Sequence, residues 1–327
     1  MITLTATAPE SLSRTTESTR PPVRVGLVQH RWRSDASELT SVLRGGIDRA
    51  AGEGATLVCL PEITLLRYPA DTPAGMNPGE SAEDLTNGPT FALAADAART
   101  HGIFVHASLY EKAPAADGLG FNTAILVAPS GELVARTRKM HIPISAGYYE
   151  DTYFRAGPAD GNPYPVHRPD GLGARIGMPT CWDEWFPEVA RSYSLGGAEI
   201  VVYPTAIGSE PVFPAFDTQP LWQQVIVANG INSGLFMVVP NRTGDEGKVR
   251  FYGSSFISDP YGRVLVQAPR DEEAVLVADL DLDQRRDWLE LFPFLLTRRP
   301  DSYTPLTTPV DAQRPYGAGH EATAVVK

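Results

Sequence analysis

The sequence predicts an α/β fold in which two β-sheets are covered by helices. Segments with strand and helix patterns alternate from Val23 to Leu282, which is the order that crossover connections between parallel strands produce. Some strand segments, such as ATLVCL and EIVVYP, are apolar without a break, and such strands are buried on both faces. About a dozen strands and four or more helices exceed what one sheet usually holds, so two parallel or mixed sheets are expected.

The first half of this region is expected to alternate strand, helix and strand, and to end in a hairpin. β-branched or unbroken apolar runs predict the strands, helical apolar spacing predicts the helices, and Pro129-Ser130-Gly131 marks the hairpin turn. The strands are expected at 23–29, 55–60, 103–109, 121–128 and 132–138, and the helices at 37–53 and 90–102.

The second half follows a Pro/Gly-rich loop from about residue 141 to 172 and keeps the same alternation. Its strands are expected at 174–180, 199–205, 235–241, 250–258, 263–268 and 274–282, and its helices at 185–196 and 217–233.

Both ends of the chain are expected to lie outside this core. Residues 1–22 are rich in Ser, Thr, Pro and Arg without an apolar period, which predicts a flexible extension. Residues 297–327 form a tail that begins Pro/Thr-rich. No Gly/Ser or charged linker interrupts residues 23–296, so they are predicted to be one domain.

Charge and composition exclude several classes of protein. Asp and Glu number 39 against 28 Lys and Arg, with no basic run, so binding to nucleic acid through phosphates is not expected. No apolar stretch reaches the roughly 18–20 residues that span a bilayer, and residues 1–22 lack the apolar core of a secretory signal. A cytoplasmic protein without membrane contact is expected. The two cysteines, Cys59 and Cys181, are too few for a disulfide framework or a thiolate metal site.

Three reactive side chains stand just beyond predicted strands, where ligands bind in α/β sheets. Glu62 follows ATLVCLP, Lys139 follows ELVARTR, and Cys181 follows ARIGMPT. Each also has an ordinary interpretation. Glu62 would be an exposed loop carboxylate, Lys139 would belong to a solvated basic edge, and Cys181 would be a small buried hydrophobic residue. Apolar neighbours of Glu62 favour a raised pKa and a general base. A thiol at a strand-to-helix turn favours the thiolate, whereas Cys59, inside an apolar strand, is predicted to be core.

Three motifs that contain these residues occur in a characteristic order. They are Leu60-Pro61-Glu62, the string RKMHIP at 138–143, and the string PTCWDEWFPE at 179–188. Together they resemble the Glu, Lys and Cys signatures of the nitrilase superfamily of carbon–nitrogen hydrolases. The resemblance extends from about Val23 to Leu282, and it implies a four-layer α-β-β-α sandwich with two mixed β-sheets that forms a homodimer or higher homo-oligomer. The tail at 297–327 is then expected at the oligomer interface.

The resemblance also implies a mechanism that needs no metal or organic cofactor. Cys181 would attack an amide or ureido carbonyl, Glu62 would act as general base, and a thioester would form. Lys139 and the backbone N–H of Trp182 would bind the oxyanion, with Glu150 as a second glutamate beside the nucleophile.

Within the superfamily the sequence most resembles N-carbamoylputrescine amidases, through CWDEWFPE, through YPTAIGSEP at 203–211 and through GYYE at 147–150. This implies a small cationic ureido substrate whose distal ammonium binds Glu210, with help from Asp183 or Glu184. Asp183 and Glu184 have the alternative role of first-turn carboxylates that offset the helix dipole. The pocket wall is expected to include Trp185 and Tyr68, and His141 is predicted to be structural.

The segments 62–68 and 216–222 depart from that subgroup, which leaves the substrate open. An aliphatic amidase, a β-ureidopropionase and a nitrilase of the same superfamily are the alternative enzymes. A catalytically silent scaffold protein is the alternative from another class.

Overall fold

The computed structural model describes residues 1–317. These residues form two mixed β-sheets and five α-helices. The strands are β1 Ile2–Ala6, β2 Val23–Gln29, β3 Leu57–Cys59, β4 Phe104–Glu111, β5 Phe121–Val127, β6 Leu133–Arg138, β7 Ile176–Gly177, β8 Ile200–Val202, β9 Phe236–Val239, β10 Thr243–Asp245, β11 Arg250–Tyr252, β12 Phe256–Ser258, β13 Val264–Gln267 and β14 Ala274–Leu280. The helices are α1 Ala36–Gly52, α2 Pro89–His101, α3 Pro187–Leu195, α4 Gln219–Ser233 and α5 Asp283–Leu291.

The two sheets differ in size and both mix parallel with antiparallel pairs. The larger has seven strands in the order β1-β14-β2-β3-β4-β5-β6, and the smaller has five in the order β13-β12-β9-β8-β7. In the larger sheet β2, β3 and β4 are parallel neighbours. In the smaller, β7, β8 and β9 are parallel neighbours. β10 and β11 form a separate two-stranded ribbon.

Apolar side chains from the two sheets meet and form the central core. Leu27 and Cys59 come from the larger sheet, and Ile176, Val202 and Ile257 come from the smaller. Helices α1 and α2 pack on the outer face of the larger sheet, and α3 and α4 pack on the outer face of the smaller. These are the four layers of the predicted α-β-β-α sandwich, and Cys59 is a core residue as expected.

Helix ends follow local chemistry. The Asp35 carboxylate accepts the backbone N–H groups of Ser37 and Glu38 and so caps the start of α1. Pro89 occupies the first turn of α2, and Gly102 ends that helix with φ of 65°, a conformation that glycine adopts without a steric penalty. Both helices lie within two residues of the predicted bounds.

The N-terminal extension, predicted to be flexible, is instead folded onto the domain. Ile2–Ala6 pair in parallel with β14 at the edge of the larger sheet. Farther along, the Arg14 guanidinium lies 2.6 Å from Asp281 and 2.9 Å from Asp287. Edge-strand hydrogen bonds and these ion pairs fix the segment. The alternation of apolar and polar residues in ITLTA at 2–6 is a short strand pattern within an otherwise polar extension.

Three further elements differ from the sequence prediction. The strand expected at 250–258 is broken at Gly253 and Ser254, both with φ of 57°, so that β11 leaves for the ribbon and β12 joins the smaller sheet. The helix α5 and the short strand β10 were not predicted. Part of the tail forms short 3-10 turns at Pro300–Ser302 and Thr304–Thr307, and residues 318–327 lie outside the described part.

Candidate active site

Four reactive side chains predicted from the sequence lie together at one end of the two sheets. Glu62 follows β3, Lys139 follows β6, Glu150 begins a 3-10 turn and Cys181 begins another after β7. All four residues are buried. The backbone joins the two sheets here, because Thr205, just beyond β8 of the smaller sheet, accepts the N–H of Glu62 at 3.3 Å. The neighbouring Pro204 accepts the N–H of Cys181 at 3.0 Å within the smaller sheet.

Lys139 lies between the two carboxylates. Its Nζ donates to Glu62 Oε1 at 3.0 Å and to Glu150 Oε2 at 2.6 Å, and the residue is 1% exposed. Burial disfavours the ammonium, but Glu150 and then Glu62 outweigh it and raise the pKa of Lys139 well above its usual value. The lysine is therefore a buried cation at neutral pH, which excludes the solvated basic edge.

The two oxygens of Glu62 have different environments. Oε1 accepts from Lys139 and, at 2.7 Å, from the Asn122 side-chain amide. Oε2 has no hydrogen-bond partner within residues 1–317. The carboxylate is thus fixed through one oxygen and leaves the other able to take a proton. Asn122 was not predicted, although a polar residue inside the apolar strand FNTAILVA could have been noticed.

Glu150 receives a second donor from the pocket wall. The Tyr68 hydroxyl donates to Glu150 Oε1 at 3.0 Å. Burial raises the pKa of Glu150, the Lys139 charge lowers it, and the negative charge of Glu62 raises it again. Lys139 therefore holds together two carboxylates that would otherwise repel each other.

Cys181 has a strained backbone and a protonated thiol. Its φ is 39°, an uncommon conformation for a residue with a side chain. It begins a five-residue 3-10 segment, Cys181–Trp185, and the α-helix starts only at Pro187. Burial, followed by the charge of Glu62, raises the pKa of Cys181 well above its usual value, although Lys139 lowers it. The preference for thiolate expected at a strand-to-helix turn is therefore outweighed by burial. The protonated thiol needs a base, which is the role predicted for Glu62.

Asp183 does not line the pocket, and its predicted contact with substrate is wrong. Its carboxylate accepts the backbone N–H of Thr180 at 3.1 Å, the backbone N–H of His141 at 2.9 Å, and lies 2.7 Å from His141 Nδ1. The His141 ring stacks on Phe186 with centroids 3.8 Å apart. This set joins the loop after Lys139 to the turn after Cys181, and His141 has the structural role predicted for it.

Glu184 is buried beside the site without lining the pocket. Neither carboxylate oxygen has a hydrogen-bond partner within residues 1–317. Burial and the charge of Glu62 raise the pKa of Glu184 well above its usual value, while the nearby Trp222 indole lowers it. Burial therefore favours the protonated acid at Glu184, and the residue lies outside the pocket lining.

A cavity of about 290 Å³ opens onto Cys181 and Glu150. Its walls are mainly aromatic and aliphatic side chains, and none of its lining residues is Lys, Arg or His. The lining residues include the predicted Tyr68, Trp185 and Glu210, together with Tyr148, Trp182 and Phe216. The departing segments 62–68 and 216–222 therefore both contribute to the pocket.

Glu210 is the second carboxylate of this cavity. It is half-buried, and its Oε1 accepts from the Thr218 hydroxyl at 3.2 Å. Burial raises the pKa of Glu210 and the Thr218 hydrogen bond lowers it. An otherwise apolar pocket with carboxylates and no lining cation favours a neutral reactive group with a cationic end.

Neither a metal site nor a membrane helix is found in the part of the chain that the structure describes. Residues 1–317 hold no group of three or more His, Cys, Asp or Glu arranged to hold a metal ion. No helix among them is long and apolar enough to cross a bilayer.

Comparisons with known proteins agree with this architecture. Residues 24–290 match the model of the Carbon-nitrogen hydrolase family. The chain is 32% identical to N-carbamoylputrescine amidase of Arabidopsis thaliana, over 90% of this chain and 98% of that protein. It is also 32% identical to citrullinase of Francisella tularensis, over 86% of this chain and 96% of that protein. The crystal structure of a carbon-nitrogen hydrolase from Helicobacter pylori G27 has a TM-score of 0.75 at 27% identity, covering 88% and 98%.

Proposed function

The chain belongs to the carbon-nitrogen hydrolase family, and we propose that it cleaves an N-carbamoyl amine with a cationic tail, such as N-carbamoylputrescine. The observation that carries this proposal is the buried cluster of Cys181, Glu62, Lys139 and Glu150 at one end of a pocket that also contains Glu210. The products would be the amine, CO₂ and ammonia.

The reaction begins with proton transfer from the Cys181 thiol to Glu62, whose Oε2 is free of other partners. The thiolate attacks the ureido carbonyl carbon and the C=O electrons move onto oxygen. Lys139 Nζ and the Trp182 N–H then bind the oxyanion. Trp182 lies in the first turn of its 3-10 segment, where backbone N–H groups have no intrahelical acceptor. Donors arranged in advance in this way stabilise the transition state strongly.

The intermediate collapses when Glu62 returns the proton to the leaving nitrogen. The C–N bond breaks, the amine departs, and the carbamoyl group remains on sulfur as a thioester. Water then attacks this carbonyl while Glu62 accepts its proton, and the C–S bond breaks with return of the proton to sulfur. The carbamic acid released decomposes to CO₂ and ammonia.

Glu210 and the pocket walls support the choice of a cationic substrate. Aliphatic and aromatic walls suit a methylene chain, the rings of Tyr148 and Trp182 can face a cation, and Glu210 can pair with a terminal ammonium. The Arabidopsis relative is an N-carbamoylputrescine amidase, which agrees with this charge pattern. A β-ureidopropionase would bind an anionic tail, and no basic residue among residues 1–317 lines this pocket.

Among the remaining alternatives, one has support from the comparisons. The citrullinase relative makes a ureido amino acid the second candidate, and its carboxylate would need a cation that the lining residues lack. An aliphatic amidase or a nitrilase would use the same four residues and would gain nothing from Glu210. A silent scaffold would have no need for a lysine buried between two carboxylates beside a thiol.

Apolar side chains on the outer helices support assembly into a dimer. Leu195, Leu221, Leu291 and Phe292 are each about half exposed, and exposed apolar groups on neighbouring elements mark protein interfaces. Light scattering after size-exclusion chromatography would give the subunit number. The cytoplasmic location stays a prediction.

The substrate proposal is tested by ammonia release. The substrates are N-carbamoylputrescine, citrulline, N-carbamoyl-β-alanine and an aliphatic amide, and the proteins are wild type, Cys181→Ala and Glu210→Gln. Wild type should prefer N-carbamoylputrescine, and Cys181→Ala should release no ammonia. Glu210→Gln should raise KM for the cationic ureide by about tenfold or more, the value of one ionic hydrogen bond, and leave the amide unchanged.

Two results would contradict parts of the proposal separately. Turnover by pure, folded Cys181→Ala would refute the thioester mechanism. Preference of wild type for another substrate, with no effect of Glu210→Gln, would refute the cationic tail and leave the mechanism intact.

A further inference from the structure

Arg242 is a fully buried arginine directly behind the Glu62 loop. It follows β9 in the string VVPNR, at 0% exposure. Its place beyond a strand end is the same signal that pointed to Glu62 and Cys181. It does not line the substrate pocket. Burying a guanidinium is costly unless its donors are satisfied, so its partners indicate what it does.

One nitrogen of Arg242 binds three carbonyls of a single short segment. Nη2 donates to the backbone oxygens of Glu62 at 2.9 Å, Ile63 at 2.6 Å and Leu66 at 2.8 Å. A guanidinium is planar and always charged, and it offers several donors in a fixed geometry. It therefore sets the curvature of the loop that carries the Glu62 carboxylate.

This loop has a conformation that needs support. Ile63 has φ of 47°, an unfavourable value for a β-branched residue. Such a backbone persists only where the surroundings fix it. The three hydrogen bonds from Arg242 flank Ile63 on both sides, and they provide that support directly beside Glu62.

The other arm of Arg242 extends the support to the second glutamate. Nη1 lies 2.9 and 3.0 Å from the two carboxylate oxygens of Glu246, and Glu246 accepts the backbone N–H of Tyr68 at 2.9 Å. The Tyr68 hydroxyl in turn donates to Glu150. One buried ion pair thus supports the backbone of Glu62 and the backbone of Tyr68, the residue whose hydroxyl holds the Glu150 carboxylate.

We infer that Arg242 is a positioning residue for the reaction: by clamping the backbone of residues 62–66, it keeps the Glu62 carboxylate at the distance from Cys181 that proton transfer requires. This inference rests on the proposed role of Glu62 as the base. Arg242 contacts neither the cavity nor the reacting atoms. Its loss affects the rate because a base displaced by about 1 Å can lose on the order of 10² in rate.

Arg285 is a matched control for the loss of a buried arginine. It is also buried, and it donates to the carbonyls of Ser194 at 3.0 Å, Ser233 at 2.9 Å and Gly234 at 2.7 Å. These carbonyls belong to the ends of α3 and α4, outside the pocket lining. Arg285→Met therefore removes the same kind of clamp without touching the Glu62 loop.

The experiment compares Arg242→Met and Arg242→Lys with Arg285→Met and Arg285→Lys, with Glu62→Gln as the reference for a lost base. Each protein is assayed for kcat and KM with the best substrate, for Tm, and for the rate at which iodoacetamide alkylates Cys181 between pH 6 and 9. Alkylation reports the base and the thiol without any substrate.

Arg242→Met should lower kcat by about 10² and change KM by less than about threefold. Its alkylation rate at neutral pH should shift from the wild-type value toward that of Glu62→Gln. The Tm of Arg285→Met should fall by about as much as that of Arg242→Met, while its kcat should stay within about twofold of wild type. If Arg242→Met does not fold, Arg242→Lys carries the test. Lysine keeps the charge but lacks the planar fork, so kcat should fall at least about tenfold below that of Arg285→Lys.

Two failures can be told apart. If Glu62→Gln is inactive and differs from wild type in alkylation rate while the Arg242 variants match their Arg285 partners in kcat and alkylation, the positioning role is refuted. If Glu62→Gln keeps full activity and normal alkylation, the base assignment itself is wrong and the inference falls with it.

Discussion

Replacing Lys139 by methionine removes the cation that separates two buried carboxylates. The ammonium lies 3.0 Å from Glu62 and 2.6 Å from Glu150, and no part of its side chain is exposed to water. Methionine fills most of the volume but leaves the carboxylates without a countercharge. The substitution therefore tests both the electrostatic balance of the site and the proposed oxyanion donor.

The loss of stability follows from the burial of both partners. Breaking a buried ion pair from one side typically costs about 3–5 kcal/mol, because the remaining charge is uncompensated. An unfolding entropy of about 2.1 cal/mol/K per residue over 327 residues gives about 0.7 kcal/mol/K. The Tm of Lys139→Met should therefore fall by about 4–7 °C at pH 8.

This deficit should depend on pH with a definite sign. Lys139 lowers the pKa of Glu150, which burial raises. Without Lys139 the folded protein keeps a proton on Glu150 at a pH where the unfolded chain has released it. Stability is then lost as pH rises, so the Tm deficit should shrink toward pH 5 and grow toward pH 8.

Calorimetry from pH 5 to 8 and steady-state turnover measure the two effects separately. Turnover of Lys139→Met should fall by at least about 10², as for other lost oxyanion donors. Lys139→Met/Glu150→Gln should regain Tm without regaining turnover. Arg138→Met is the control, because Arg138 pairs with Glu111 at 2.6 Å and is 22% exposed, outside the pocket lining.

Either of two results would refute this reasoning. An unchanged Tm at pH 8 would mean that Lys139 does not balance the carboxylates. Turnover within about tenfold of wild type would mean that the lysine does not stabilise the oxyanion, since that role is worth at least about 10².

Three other substitutions or reagents give independent tests. Asn122→Ala should lower kcat about tenfold with KM unchanged, because one hydrogen bond to the Glu62 carboxylate is worth about 1.5–3 kcal/mol. A tenfold rise in KM would contradict this. Glu184→Gln should raise Tm by an amount that grows from pH 5 to 8, because the raised pKa of Glu184 makes wild type lose stability as pH rises. If calorimetry finds the same Tm difference at every pH, the pKa of Glu184 is not raised. Iodoacetamide should modify Cys181 and spare the core residue Cys59 in native protein, and peptide mass spectrometry that finds Cys59 modified first would contradict the site.

Most of the layered architecture could be predicted because apolar period and turn residues are local signals. The strand ends also pointed to Glu62, Lys139 and Cys181, since parallel strands bring their carboxyl ends to one edge. β1 was missed because its five residues gain their stability from pairing with β14, which lies about 270 positions away in sequence. The alternation of Ile2, Leu4 and Ala6 with two threonines is a strand pattern that could have been noticed, but it does not reveal the partner strand.

The errors at the site have the same origin in tertiary contacts. Contact with substrate was one of two roles expected of Asp183, and the structure supports the other, a first-turn carboxylate. The 3-10 turn after Cys181 directs its carboxylate toward Thr180 and His141. The effect of the turn that favours thiolate at Cys181 was expected, but burial, which only the packed structure shows, outweighs it. Asn122 was missed because its acceptor, Glu62, is 60 positions away.

Glu62 and Cys181, the proposed base and nucleophile, follow strands of different sheets. The two sheets are joined by side-chain packing across the central core, and the adjacent carbonyls of Pro204 and Thr205 link the two residues by hydrogen bonds. The rate of turnover should therefore depend on the distance between the two β-sheets. Mild acid or denaturant can loosen tertiary packing while the strands remain. Under such conditions the enzyme should lose activity while its far-UV circular dichroism stays close to that of the native protein. Selection for activity consequently extends to apolar residues such as Ile257, which never meet a substrate.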